Sequence, residues 1–168
     1  MITYLKGDAT EPQTGGNRFI VHICNDKGGW GKGFVLALSN KWKQPEVEYR
    51  SWSKAKWPHA PFEMGNTQKV QVEDSLWVIN MIAQEGYSPT YKVTKRYVNY
   101  LELERCLDKV SKLAKIYGAS IHMPRIGTGL AGGTWEEIEP IINQTLKEHD
   151  VFVYDLQSRQ NCDIIRHG

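Results

Sequence analysis

Two glycine-rich runs, each placed after an apolar stretch, are the residues of this chain best suited to grip an anion. The first, Asn25-Asp26-Lys27-Gly28-Gly29-Trp30-Gly31-Lys32-Gly33, follows Phe19-Ile20-Val21-His22-Ile23-Cys24. The second, Gly127-Thr128-Gly129-Leu130-Ala131-Gly132-Gly133, follows Ile121-His122-Met123-Pro124-Arg125-Ile126. Without Cβ atoms the backbone N–H groups can approach a phosphate closely, and positive φ becomes accessible. A helix opening beyond each loop would add unpaired donors and a favourable dipole. One such loop can hold a phosphate. Two at the same sheet edge could hold a diphosphate.

Other chemistry is weaker. Gly127-Thr128-Gly129-Leu130-Ala131-Gly132 fits the dinucleotide G-x-G-x-x-G pattern, with Asp155 loosely placed for a ribose hydroxyl. It comes too late in the chain for a series of βα units, which argues against a nicotinamide enzyme. In the first loop Gly33 stands where a Walker loop needs Ser or Thr, so nucleotide triphosphate hydrolysis is disfavoured. His22 has the chemistry of a general acid or base, but on an apolar strand a hydrogen-bonded core histidine is the commoner outcome. Trp30 could cover a ligand ring or close the top of the following helix. His59, His122, His149 and His167 lack metal-ligand spacing. Cys24, Cys106 and Cys162 are odd in number and widely spaced, which fits reduced thiols in a cytoplasmic protein.

The elements that must carry these loops alternate. Strands are expected near 2–6, 18–24, 67–73, 76–83, 120–123 and 151–154. Helices are expected near 32–43, from Pro45 through Trp52, along the Leu103, Leu107, Val110, Ala114 and Tyr117 stripe, and through Ile138, Ile141, Ile142 and Leu146. Gly118 should stop the third helix, and Thr134 with Glu137 has capping-box spacing for the fourth. Trp57-Pro58-His59-Ala60-Pro61 reads as loop. The order ββααββαβαβ predicts an α/β domain with a mixed sheet between helices, and ligands at the carboxyl ends of its strands.

A chain of 168 residues makes one domain with a substantial core. Its net charge of +2 gives no electrostatic case for nucleic acid or an anionic membrane. No apolar run is long enough to span a bilayer, and the start lacks the pattern of a signal peptide.

Gly7-Asp8-Ala9-Thr10, the strand leading to Cys24-Asn25, the run from Gly28 to Gly33, and Pro124-Arg125-Ile126-Gly127-Thr128-Gly129-Leu130 together resemble the macrodomain family. The match runs in order over about residues 2–156. It is most similar to the branch of terminal ADP-ribose–protein glycohydrolases and yeast-type ADP-ribose-1″-phosphate phosphatases, and to bacterial macrodomains of that branch. The resemblance implies a three-layer α/β/α sandwich with a central mixed sheet. It places one macrodomain over 1–157 and a polar tail over 158–168. It further implies that Asp8 accepts from the adenine amino group, that Ala9 adds a backbone contact, and that Asn25 holds the distal ribose. Gly29, Trp30, Gly31, Lys32, Gly33 and Phe34 on one side, with Arg125, Gly127, Thr128, Gly129, Leu130 and Ala131 on the other, would surround the diphosphate. Tyr154 would lie against adenine or the proximal ribose.

The departures from the family bear on mechanism. Where the human glycohydrolase of this branch has a lysine and an aspartate, this chain has Ala83 or Gln84, and Ala131. A lysyl–ribose intermediate therefore has no visible nucleophile. His22 matches the phosphatase histidine, with Asp74 as a stand-in for its acidic partner. The expected activity is hydrolysis of ADP-ribose esters on acidic protein side chains. Asn25 would fix the ribose, Gln84 would position water, and a substrate diphosphate oxygen would serve as base. No cofactor or metal is expected. The partners would be ADP-ribose and mono-ADP-ribosylated proteins, with ADP-ribosylated nucleic acid left open and no membrane. The alternatives are an ADP-ribose-1″-phosphate phosphatase, with His22 catalytic, and a reader that binds ADP-ribose without turnover.

Overall fold

The computed structural model describes residues 1–56 and 60–156. Trp57, Pro58 and His59 of the expected loop, and the tail with Cys162 and His167, lie outside the described residues. The elements are β1 (Ile2–Lys6), β2 (Arg18–Asn25), α1 (Phe34–Lys41), α2 (Gln44–Ser53), β3 (Thr67–Glu73), β4 (Leu76–Gln84), α3 (Tyr100–Tyr117), β5 (Ser120–Met123), α4 (Trp135–Thr145) and β6 (Val151–Asp155). They follow the expected order. The six strands form one sheet, β1-β6-β5-β2-β4-β3, parallel throughout except for antiparallel β3 at the edge.

Strand alternation divides the interior into two cores. Phe19 and Val21 of β2 face Leu103, Leu107 and Val110 of α3 and Ile138 and Ile142 of α4. Ile20 and Cys24 face Val35 and Leu38 of α1 and Tyr49 of α2. With both faces covered, β2 is apolar on both sides, as a central parallel strand must be. The result is a three-layer α/β/α sandwich. Among the described residues no helix is long and apolar enough to cross a membrane.

The helix ends show what their sequences can do. Asn99 caps α3 by accepting from the Glu102 N–H at 3.0 Å, and Gly118 ends it in the left-handed conformation at φ 60°. The capping box expected at α4 does not form. Thr134 occupies the cap position, but its side chain makes no capping hydrogen bond. The second glycine loop also departs from expectation. It opens only a three-residue 3₁₀ turn, Gly129–Ala131, and α4 begins later at Trp135.

Candidate ligand-binding site

The parallel strands β2, β4 and β5 end together, and a cleft of about 630 Å³ opens beyond them between the glycine loops. Gly29, Trp30, Gly31, Lys32, Gly33 and Phe34 line one side; Arg125, Gly127, Thr128, Gly129, Leu130 and Ala131 line the other; Asn25 and Gln84 lie at the strand ends, with His22 deeper in β2. Residues far apart in sequence thus share one cavity. Helix α1 starts at Phe34, one residue past Gly33, whose φ of 79° and ψ of −144° suit glycine. The N–H groups of Phe34 and Val35 find no carbonyl among the described residues, so this helix end offers donors to the cleft.

Asn25 is committed to shaping the first loop. Its Oδ1 accepts from the N–H groups of Lys27 at 2.9 Å and Gly29 at 3.1 Å, while Nδ2 donates to the Gly29 carbonyl at 2.9 Å. The buried Tyr49 hydroxyl donates to the Asn25 carbonyl at 2.5 Å and lies 3.1 Å from Oδ1. These contacts fix the amide orientation and leave one Nδ2 proton for a ligand. Gln84 stands level with Asn25 because β4 inserts an extra residue there, shifting the register. Ala83 packs into the α3 side of the core, so Gln84 is the residue at this position that lines the cleft. Its Nε2 donates to the Gly86 carbonyl at 2.9 Å, and Oε1 remains an acceptor.

His22 is buried on the α1 side, and burial pushes its pKa down to about 4. Asn80 Nδ2 donates to Gln68 Oε1 at 3.0 Å and to the Pro45 carbonyl at 3.2 Å, so Asn80 Oδ1 is the acceptor facing His22 Nε2 at 2.5 Å. The imidazole is therefore neutral, with its proton on Nε2. Trp30 turns inward as well. Its indole donates to Ser39 Oγ at 2.8 Å, and its ring packs 5.4 Å from both His22 and Tyr49. It closes the base of the cleft beneath α1. Asp74, the stand-in acid for His22, belongs to the opposite end of the sheet. It lies in the turn before Leu76, whose strand partner is Arg18 at the start of β2, and its carbonyl receives the Arg18 guanidinium at 3.5 Å.

The charge lining the cleft has one sign. Among the described lining residues the ionised side chains are Lys27, Lys32, Arg50 and Arg125. Lys32 Nζ donates to the Ser88 carbonyl at 3.1 Å, and Arg50 donates to the Gly28 carbonyl at 3.0 Å. Arg125 forks onto Asp155 at 2.7 and 3.0 Å; these hydrogen bonds raise the guanidinium pKa and lower that of the carboxyl. Arg50 also pairs with Glu46 at 2.9 Å and Lys27 lies 4.0 Å from Asp26, so the backbone donors of the loops, with these partly offset cations and Lys32, are what suits a diphosphate.

Asp8, Ala9 and Tyr154 do not line this cavity. Asp8 lies beside its Arg125 end, since the preceding Gly7 N–H donates to the Asp155 carbonyl at 2.9 Å. Its Oδ1 accepts from the Thr10 N–H and hydroxyl at 2.8 and 2.7 Å, leaving Oδ2 for a ligand. Ala9 is buried. Tyr154, which the resemblance sets against adenine or the proximal ribose, is buried and engaged inside. Its hydroxyl accepts from the Gln13 N–H at 2.9 Å and lies 2.9 Å from His122 Nδ1. Sequence reading missed Arg50 and Tyr49, which reach the first loop from α2, and Tyr87 and Ser88, which line the cleft from the β4–α3 connection. No spacing rule links those positions to the loops.

No family model matches the chain. A solved structure from Bacteroides thetaiotaomicron, described as a protein of unknown function, is 51% identical, with a TM-score of 0.85 over 93% of this chain and 98% of that one. A macrodomain protein from Streptomyces coelicolor is 44% identical, with a TM-score of 0.79 over 92% of this chain and 99% of that one. An ADP-ribose 1″-phosphate phosphatase from Candida albicans is 24% identical over 159 residues, covering 86% of this chain and 93% of that protein. A chromodomain-helicase-DNA-binding protein 1-like from Danio rerio is 29% identical over 160 residues; the match takes in 90% of this chain but spans only 15% of that protein.

Proposed function

This chain belongs to the macrodomain family, and from that premise we propose that its cleft binds ADP-ribose and hydrolyses ADP-ribose esters of acidic protein side chains. The observation that carries the binding is the cleft itself, where two glycine loops and four cationic side chains converge with no carboxylate among the described lining residues. The diphosphate sits between the loops, the distal ribose at Asn25 and the adenine toward Asp8.

Hydrolysis then rests on placement. The free Nδ2 proton of Asn25 holds the distal ribose, and Gln84 Oε1 accepts from a water directed at C1″. The water oxygen bonds C1″ as the C1″–O ester bond breaks, and the carrier leaves as a carboxylate that needs no proton. The proton of the water passes to a diphosphate oxygen. Orientation of the ribose, the water and the diphosphate that takes the proton is the protein's contribution.

A second reading, removal of phosphate from ADP-ribose-1″-phosphate, is favoured by the name of the Candida relative. Against it stand the commitment of His22 Nε2 to Asn80 and the distance of Asp74 from the cleft. The test is incubation with glutamate-linked mono-ADP-ribosylated protein and, separately, with ADP-ribose-1″-phosphate. Release of ADP-ribose from the protein supports ester hydrolysis. Phosphate release alone makes the chain a phosphatase. Tight binding of ADP-ribose with neither product makes it a reader.

A further inference from the structure

We propose that Arg125 is the platform on which the adenine ring of the ligand rests, a role that builds on the ADP-ribose reading of the cleft. Three observations converge on this side chain. First, the guanidinium is held flat and in place. Its Nε and one terminal nitrogen donate to the two oxygens of Asp155 at 2.7 and 3.0 Å. Second, it is backed by aromatic rings. Its Cζ lies 5.1 Å from the Tyr4 ring and 5.3 Å from the Trp135 ring. Those two ring centroids are 6.4 Å apart, so the rings flank the guanidinium as neighbours and do not clasp it from opposite faces. The Trp135 indole donates to the Tyr4 hydroxyl at 2.9 Å, and Tyr4 donates to Glu139, which locks the backing pair. Third, Arg125 borders the cleft, and its side chain is 40% exposed.

The position suits a base. The Gly7 N–H donates to the Asp155 carbonyl, which sets Asp8, with its free Oδ2, next to the Arg125–Asp155 pair. Tyr154, which the resemblance sets against adenine or the proximal ribose, has its hydroxyl 2.9 Å from His122 Nδ1. A guanidinium plane stacks on an aromatic face as readily as an aromatic side chain does, and it adds a cation–π attraction. Asp155 offsets part of the Arg125 charge, so what sets this side chain apart from the other cations of the cleft is its plane. Asp155, Tyr4 and Trp135 are positioning residues for that plane.

The test separates plane from charge. Calorimetric titration with ADP-ribose would compare the wild type with Arg125→Ala and Arg125→Lys, at two salt concentrations. The platform predicts that both variants lose affinity roughly tenfold, because lysine keeps the charge but not the plane. Asp155→Asn, which leaves Arg125 in place but weakens its fork, should lose less. Recovery of wild-type affinity by Arg125→Lys would make the residue a phosphate-binding cation and overturn the platform, as would unchanged affinity in Arg125→Ala. Thermal midpoints of the three variants report any general loss of folding. Failure of the wild type to bind ADP-ribose would instead overturn the reading of the cleft, and this inference with it.

Discussion

The two glycine loops look equivalent as strings of letters, yet the molecule uses their glycines for different purposes. In the first, Gly33 faces open space and is needed for its backbone angles, at the point where α1 begins to present its donors. The loop holds its shape through side chains, with Asn25 tied to Lys27 and Gly29 and Tyr49 tied to Asn25. In the second, Gly127, Gly132 and Gly133 make room, while Gly129 faces open space. A Cβ on Gly132 would lie 2.3 Å from the Lys95 carbonyl oxygen and 2.9 Å from the Arg96 Cα. There the 95–98 segment crosses closely enough for the Tyr97 and Val98 N–H groups both to donate to the Ala131 carbonyl. One loop is braced from outside by polar side chains; the other is wedged under the backbone of a neighbouring segment.

The largest expected effect comes from breaking the wedge. Gly132→Ala adds a backbone clash to a residue at φ 78°, and neither neighbour is a side-chain tip that can swing away. The expected cost is about 4 kcal/mol or more, read as a drop in the urea midpoint. A loss below about 1 kcal/mol would mean that the 95–98 segment yields easily, and the contrast between the loops would fail.

Much of this architecture was legible because it depends on local pattern. Strand alternation, the α3 stripe and its Gly118 stop, and both glycine runs gave the element order and the edge where the cleft forms. What stayed hidden depends on residues meeting across the fold. Nothing in Gln44–Ser53 marks Tyr49 as the brace of a loop formed some twenty positions earlier. The 85–99 connection carries no periodicity, so its contribution of Tyr87 and Ser88 to the cleft could not be anticipated. The resemblance set Tyr154 against adenine or the proximal ribose, and it could not show that the 13–14 segment meets this side chain, which is where its hydroxyl goes.

Acid sharpens the comparison next. The first loop rests on a titratable group, since His22 contacts Trp30 at 5.4 Å and Phe34 at 5.9 Å. The second rests on aliphatic carbon, with Ile138, Ile23 and Val98 nearest to Gly127. Burial lowers the pKa of both His22 and His122 to about 4. The folded-state value lies below the unfolded one of about 6.5, so the unfolded chain binds more protons between these limits. Stability from this source is complete above about pH 6.5 and is lost as pH falls toward 4. Between pH 7 and 5 the loss should be about 2 kcal/mol per histidine. Hydrogen exchange at pH 5 should show the amides of the first loop losing protection before those of the second; equal loss would remove the distinction.

Gly33→Ala should act in the opposite manner to Gly132→Ala. No atom lies within 4 Å of the new methyl, so the cost is conformational alone, about 1–3 kcal/mol. The open surroundings let the loop relieve that strain by moving away from its φ of 79°, and such movement misaligns the N–H groups at the start of α1. Affinity for ADP-ribose should therefore fall several-fold, with a drop in thermal midpoint clearly smaller than that of Gly132→Ala. An unfolding effect as large as that of Gly132→Ala would show the first loop to be wedged as well.

Tyr49→Phe gives the smallest expected effect and bears most directly on the external brace. The ring stays, with Trp30 at 5.4 Å and Phe62 at 5.7 Å, so the packing of α2 is kept. Only the hydroxyl goes, and with it the bond to the Asn25 carbonyl at 2.5 Å and the contact to Oδ1 at 3.1 Å. A lost hydrogen bond at a buried carbonyl costs about 1 kcal/mol in stability. The Asn25 amide keeps its bonds to Lys27 and Gly29, so the loop should survive with a looser amide. Binding of ADP-ribose should weaken by a small factor, and ester hydrolysis should slow further because it needs the distal ribose held in one place. If turnover falls no more than affinity does, Tyr49 braces the loop without orienting the ribose. If turnover falls alone, the phenol on α2 sets the geometry at C1″, and loop shape and reaction geometry depend on the same hydrogen bond.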